Sequence, residues 1–148
     1  MSFLQRRIET AAEYEAPAHE VWAVLTDFAA FGEWNPFMVA VSGQLAEGER
    51  LEATLMRPNG KPMRFRPQVL RVSPARQIRW LGRVGPGGLF DGEHYIVLEP
   101  TEDGTTRMVH GERFTGLLVP FMGSLIAETE QRFEAMNTAL GERLAARK

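Results

Sequence analysis

The last stretch of the chain constrains the fold more than any other. From Pro120 onward, Met122, Ile126, Thr129, Phe133, Met136, Leu140 and Leu144 recur at steps of three or four. Glu128, Glu130, Arg132, Glu134 and Arg143 fall largely on the opposite side. This pattern predicts one amphipathic helix, opened by Pro120, with an apolar stripe that needs covering. About 25 residues at ~1.5 Å each make it roughly 38 Å long. In a chain of 148 residues such a helix must cross the whole body.

The cover has to come from upstream. Residues 6–15 read as a strand carrying Ile8, Ala12 and Tyr14. Pro17 then occupies a position suited to the first helical residue, whose N–H has no partner to lose. Val21, Trp22, Leu25 and Phe28 follow at helical spacing. Asp27 is placed to cap a second short helix bearing Phe31 and Trp34, which Pro36 stops by pushing Asn35 out of the helical region.

Between 37 and 116 the pattern changes to strands and turns. Strands are expected over 37–44, over 50–57 with Leu51, Ala53 and Leu55 on one face, and over 63–73, where Pro67 marks an edge or a bulge. Further strands are expected over 76–84 with Ile78 and Trp80 on one face, 90–99 with His94, Ile96 and Leu98, and 105–116 with Met108, His110, Glu112 and Phe114. Pro58-Asn59-Gly60-Lys61-Pro62, Gly85-Pro86-Gly87-Gly88 and Glu102-Asp103-Gly104 supply the turns.

The order is strand, two short helices, strand meander, long helix. The amphipathic helix is the one large element able to cover the meander's apolar face. The expected fold is therefore α+β: a curved antiparallel sheet of about seven strands around the C-terminal helix. Twisted sheets of that width curl, and curling around a helix can leave a cavity against the concave face. The length fits a single domain over 1–148.

Composition narrows the function. Cysteine is absent, which removes disulfides, thiolate catalysis and cysteine-based zinc sites. The formal net charge is −2 with no basic run, so the electrostatic footprint of a nucleic-acid binder is missing. No window approaches the ~20 apolar residues of a membrane span, and Met1 to Arg7 holds no apolar signal stretch. A cytoplasmic protein, monomeric or homodimeric, without stable membrane insertion, is the expectation.

Several regions resemble a known family. Val21-Trp22-Ala23-Val24-Leu25-Thr26-Asp27-Phe28, followed by Phe31-Gly32-Glu33-Trp34-Asn35-Pro36-Phe37, is similar to the opening of the START-like (SRPBCC) superfamily. Gly92 to Pro100, Thr106 to Gly116 and the final helix resemble its polyketide cyclase/dehydrase and lipid-transport group. The resemblance covers nearly the whole chain and implies a helix-grip fold with a deep apolar cavity under the long helix. It implies no particular chemistry, because the superfamily includes lipid carriers, hormone receptors, aromatic cyclases, oxygenase domains and chaperone activators.

The candidate cavity residues are Trp34, Leu55, Trp80, His94, Ile96, Met108, His110, Glu112, Phe114, Phe133 and Met136. Alternation sends His94, His110 and Glu112 the same way as apolar neighbours. A histidine beside a carboxylate in a dry pocket can act as general acid or base, and can equally anchor a ligand or be an interior group satisfied by its neighbours. Metal binding has no helical His-x-x-x-His spacing behind it, and no cofactor is expected. Trp22 reads as core, Trp34 as pocket mouth or packing, and Trp80 as core or ligand contact. Arg64 and Arg66 read as a solvated outer face. Met56, Met63, Met108, Met122 and Met136 suit either core filling or an adaptable pocket. The apolar connection Leu117-Leu118-Val119-Pro120 either lines or gates the pocket, or packs against the first helices.

Three functions follow. The first is binding or transport of a small hydrophobic ligand such as a lipid, polyketide or isoprenoid. The second is a cyclase or dehydrase using His94, His110 and Glu112. The third is a protein-partner module.

Overall fold

A computed structural model describes residues 4–57 and 59–147. Strand β1 (Gln5–Tyr14) is followed by helix α1 (Ala18–Thr26), a 3-10 turn (Phe28–Ala30) and the short helix α2 (Phe31–Trp34). Strands β2 (Met38–Ser42), β3 (Glu52–Met56), β4 (Pro62–Phe65), β5 (Gln68–Ser73), β6 (Gln77–Arg83), β7 (Asp91–Pro100) and β8 (Thr106–Thr115) come next. A 3-10 turn (Val119–Phe121) leads into α3 (Gly123–Ala146). Pro17 immediately precedes α1, and its carbonyl accepts from Glu20 and Val21. Asp27 makes no side-chain cap.

Among the described residues the strands form a five-stranded sheet, β1-β8-β7-β6-β5, and a three-stranded sheet, β2-β3-β4. The pairings within both sheets are antiparallel. The strand expected over 63–73 is two strands, because Arg66 and Pro67 interrupt it. Pro67 has no N–H for a ladder, but its carbonyl accepts from Leu51 at 2.9 Å. With the Val69 N–H on Glu49 (2.8 Å) and the Gly48 N–H on Val69 (2.8 Å), this stitches the small sheet to the β5 edge of the large one. Of the turn at 58–62, Pro58 lies outside the described residues, as does the start of the N-terminal segment, Met1 to Phe3.

The 24 residues of α3 span about 36 Å. Pro120 belongs to the preceding 3-10 turn rather than to this helix. Ile126, Phe133, Met136, Leu140 and Leu144 are buried against the sheet, and Asn137 is buried with them. Tyr14 of β1 ties the helix down, its hydroxyl donating to the Asn137 carbonyl at 2.7 Å. Val21, Val24 and Leu25 of α1 join the same core, with Phe31 of α2 and Phe37. No described helix is long and apolar enough to cross a membrane.

The 117–120 connection is anchored by its backbone, and its Val119 joins the core cluster that also holds Val21, Val24, Leu25 and Phe31. Leu117 and Leu118 donate backbone N–H bonds to Gly88 (3.0 Å) and Leu89 (2.9 Å), so the connection docks on the β6–β7 loop. Gly116 permits this approach: its φ is +128°, and a Cβ there would lie 2.3 Å from the Leu89 carbonyl oxygen. Val119 is buried, whereas Leu117 and Phe121 stand in solvent.

Candidate functional site

Strand register determines which side chains form the floor beneath α3. Directly opposed residues share a face, so the inner face can be read in rows across the large sheet. One row runs Ile78, Ile96, His110, Thr10, and the next runs Trp80, His94, Glu112, Ile8. The row after that begins Gly82, Gly92, Phe114. Large side chains fill the first two rows. The third has two neighbouring glycines, and the floor drops there.

A cavity of about 300 Å³ opens at that step. Its wall includes Gly82, Gly92 and Phe114 of the floor, Phe37, Leu55, Met63 and Phe65 from the small-sheet side, Phe90, and Leu125 and Thr129 of α3. Phe65 leans over Gly82, where a Cβ would come within 3.1 Å of its ring. Phe90 and Phe114 stack with centroids 5.3 Å apart. Thr129 satisfies its hydroxyl within the helix, donating to Leu125 at 2.8 Å. The charged wall residues are Glu112, Arg64 and Arg83, and both arginines are exposed. A larger and more open hollow of about 620 Å³ lies on the small sheet among Ser42, Glu52, Thr54, Arg64 and Arg66. Its lining mixes these polar side chains with Ala40, Val41, Ala53 and Phe65, and it is more open to solvent than the cavity under α3.

Glu112 occupies the space that Gly92 leaves free. A Cβ at Gly92 would fall 2.0 Å from Glu112 Oε2. None of the hydrogen bonds or ion pairs among the described residues involves this carboxyl group. Burial disfavours its charged form and pushes it up to about 8, so it is a neutral acid near pH 7.

The histidines belong to a separate, closed network. Thr10 Oγ1 gives its one hydrogen to the His110 carbonyl at 2.8 Å. It must therefore accept from Asn137 Nδ2, also at 2.8 Å. That orients the amide and leaves Asn137 Oδ1 facing His110 Nδ1 at 2.8 Å, so His110 carries its proton on Nδ1. His110 Nε2 is then an acceptor, and His94 Nε2 donates to it across 2.8 Å. Phe133 stacks on His110 at 4.0 Å and meets His94 edge-on at 5.2 Å, while Trp80 stacks on His94 at 4.9 Å. Burial lowers His110 to about 4, opposed by its bond to Asn137. Burial and then the neighbouring His110 hold His94 well below the ordinary histidine range. Both rings are neutral at pH 7.

Of the residues singled out in the sequence, the structure brings Leu55, Glu112 and Phe114 together on the cavity wall. It packs Trp80, His94, Ile96, Met108, His110, Phe133 and Met136 in the core, each no more than 5% exposed. Trp34 is half-buried at the end of α2, edge-on to Phe31 at 5.4 Å, with its indole N–H unpartnered. His94 and Glu112 are direct cross-strand neighbours, yet only Glu112 reaches the wall.

Sequence reasoning did not single out Asn137, Thr10, Gly82, Gly92, Phe37, Phe65, Phe90 or Leu125 for the site. Two of them carried a signal. Asn137 lies four residues after Phe133 and three before Leu140, a polar residue inside an apolar stripe. Thr10 alternates with Ile8 on the inner face of β1. The two glycines carried none, since their pairing exists only in the register.

Comparison with known proteins agrees with this architecture. The family described as polyketide cyclase/dehydrase and lipid transport matches residues 5–147, and the chain belongs to it. No curated protein matches the sequence. Among solved structures, the chain is similar to a START superfamily protein from Mycobacterium smegmatis, with 19% identity, a TM-score of 0.75 and coverage of 96% of this chain and 99% of that one. It is similar to the Zhui aromatase/cyclase from Streptomyces sp. R1128, with 19% identity, a TM-score of 0.78 and coverage of 97% and 95%. It is also similar to a protein from Thermus thermophilus, with 16% identity, a TM-score of 0.75 and coverage of 97% and 99%. At these identities the likeness establishes the START-like helix-grip fold.

Proposed function

We propose that this member of the polyketide cyclase/dehydrase and lipid transport family is a ligand-binding domain that holds a small, largely apolar molecule between α3 and the glycine step of its sheet. The carrying observation is the cavity of about 300 Å³ that opens between α3 and the sheet beside the Gly82–Gly92 pair, where Phe65 and Glu112 lie over the two glycines. Empty apolar volume is destabilising in a core that has no use for it. The space equals roughly ten water volumes at ~30 Å³ each, which suits a compact ring system or a short chain. Aromatic and aliphatic side chains, among them Phe37, Leu55, Phe65, Phe90, Phe114 and Leu125, surround it.

Binding is favoured over cyclisation or dehydration because those reactions need an acid and a base within reach of one substrate. Glu112 is the one carboxyl on the wall, and both imidazoles are held in the core by partners other than a ligand. Native mass spectrometry of the purified protein tests the reading, with denaturing analysis of whatever is released. A stoichiometric apolar molecule, lost when Gly82→Leu fills the step, is the expected result. A wild-type protein that stays empty when offered pools of lipids and aromatic polyketides would count against it.

A further inference from the structure

The cavity wall carries one acid and no base to match it. Glu112 stands on the inner face of β8, between Ile8 and His94 in its row, and its carboxyl group lies over Gly92. It makes no hydrogen bond or ion pair among the described residues. The other polar groups nearby are engaged or face elsewhere. Thr129 donates its hydroxyl hydrogen to Leu125 within the helix. His94 Nε2 is committed to His110. Arg64 alternates with Met63 and Phe65, so its side chain leaves β4 on the face opposite theirs. Arg83 follows Gly82 and meets its cross-strand partner Asp91, whose Oδ2 lies 3.7 Å away.

A carboxyl group so placed can gain a partner from a ligand in two ways. Protonated, it donates to an acceptor, a task an amide would perform as well. Ionised, it requires a positive charge, because an uncompensated anion against an apolar wall is strongly penalised. A basic nitrogen serves both forms: an amine accepts from the acid, and an ammonium donates to the carboxylate. The second arrangement is a charge-assisted hydrogen bond, about twice as strong as a neutral one. Four phenylalanines, Phe37, Phe65, Phe90 and Phe114, share the wall. Among apolar side chains, aromatic rings are the ones whose faces attract a cation.

Building on the binding reading above, we infer that the cavity takes an apolar, ring-sized amine, whose basic nitrogen pairs with Glu112 while its body fills the aromatic space beside Gly82 and Gly92. Glu112 is the specificity-determining residue. Gly92 is a positioning residue that keeps room for the carboxyl group, since a Cβ there would lie 2.0 Å from Oε2. A change in proton count follows. Below about 8 the free carboxyl group holds its proton, and an alkylammonium, like the lysine side chain, holds its own. The bound pair keeps one fewer, so binding releases close to one proton to the buffer.

Three probes of similar shape test this by calorimetric titration: naphthylmethylamine, naphthylmethanol and methyl naphthyl ketone. At about pH 7 the amine should bind wild type about tenfold or more tightly than the alcohol, as one charge-assisted bond allows. Its affinity should rise between about pH 6 and about pH 8, by up to about tenfold per unit, while that of the alcohol stays flat. Titration in buffers of different ionisation enthalpy should read the released proton directly. Glu112→Gln should bring the amine-to-alcohol ratio to about one or below and remove the proton release, with binding of the alcohol kept as the sign of an intact cavity. Gly92→Ala should reduce the ratio, because its Cβ competes with Glu112 Oε2 for the same space.

An amine that binds wild type no more tightly than the alcohol, or less tightly than the ketone, would overturn the inference, as would an amine preference that survives Glu112→Gln. If Gly82→Leu then abolished binding of the alcohol and the ketone, the cavity reading would stand without it. Failure of all three probes to bind would bring down both.

Discussion

The Nε2 atoms of His94 and His110 lie 2.8 Å apart, and a single proton occupies the space between them. His110 cannot supply that proton, because its Nδ1 already donates to Asn137. The neutral pair is therefore locked in one tautomeric arrangement, set by a threonine hydroxyl on the first strand and an amide on the last helix.

Stability should consequently fall with acid. In the unfolded chain a histidine takes up its proton near 6.5, whereas folded His110 resists down to about 4. Between those values the unfolded state binds more protons, so the contribution is complete above about 6.5 and is lost as pH falls toward about 4. For His110 alone it is worth about 3 kcal/mol by linkage. Urea unfolding at a series of pH values, with nitrogen NMR of the two rings, is the check. An imidazolium signal from either ring at pH 6 in the folded protein would refute the closed network.

Asn137 should be among the costliest core positions on α3. Asn137→Ala leaves the His110 Nδ1–H without its acceptor and the Thr10 hydroxyl without its donor. Stranding one buried polar group costs about 1–3 kcal/mol, so a loss of at least about 2 kcal/mol is expected in denaturant unfolding. Asn137→Asp keeps the acceptor and adds a negative charge, and it should raise the His110 titration midpoint in the NMR experiment. A change under about 0.5 kcal/mol for the alanine variant would mean that water replaces the amide.

Glu112 should produce the opposite pH response. Its folded midpoint, about 8, lies above the ordinary carboxyl value. The stability associated with its protonated form is complete below the unfolded value, near 4.3, and is lost as pH rises through about 8. Glu112→Gln removes the titration, so the variant should gain on wild type steadily from about pH 5 to about pH 9. A constant difference across that range would place the carboxyl group in water.

Gly111 should tolerate no side chain. On the outer face of the large sheet, Tyr95 lies across this position, with its hydroxyl donating to Glu9 at 2.6 Å. A Cβ at residue 111 would be 2.5 Å from the Tyr95 oxygen and 2.7 Å from the Ile8 carbonyl oxygen. The second clash is with backbone and cannot be relieved by rotating a side chain. Gly111→Ala should cost about 3 kcal/mol or more, at the upper end of overpacking effects. Thermal unfolding should register a fall of roughly 6–12 °C. Adding Tyr95→Ser should recover only part of it.

Much of this architecture was legible in the residues. The three-and-four spacing from Met122 to Leu144 specifies α3 because a helix brings those positions to one side whatever it packs against. Alternation from Gly92 to Leu98 and from Met108 to Phe114 specifies two strands and assigns His94, His110 and Glu112 to one face, because the strand period is two. Less could be seen where the chain only interrupts a pattern. Pro67 was readable as an irregularity, but its role as the seam between two sheets depends on Glu49 and Leu51, distant in sequence.

The site divides along the same line. Residue order was enough for the succession of elements, the amphipathic helix, the family and the face on which each candidate lies, since these depend on local geometry and periodicity. Which of those side chains meet a cavity was settled only by packing. His94 and Glu112 are equivalent by alternation, yet one is enclosed by Trp80, Phe133 and His110 while the other extends over Gly92. That difference comes from cross-strand register, which sets Gly82 beside Gly92, and from the height at which α3 crosses the sheet. Both are properties of long-range packing, where every side chain's place depends on the volume of neighbours far away in sequence.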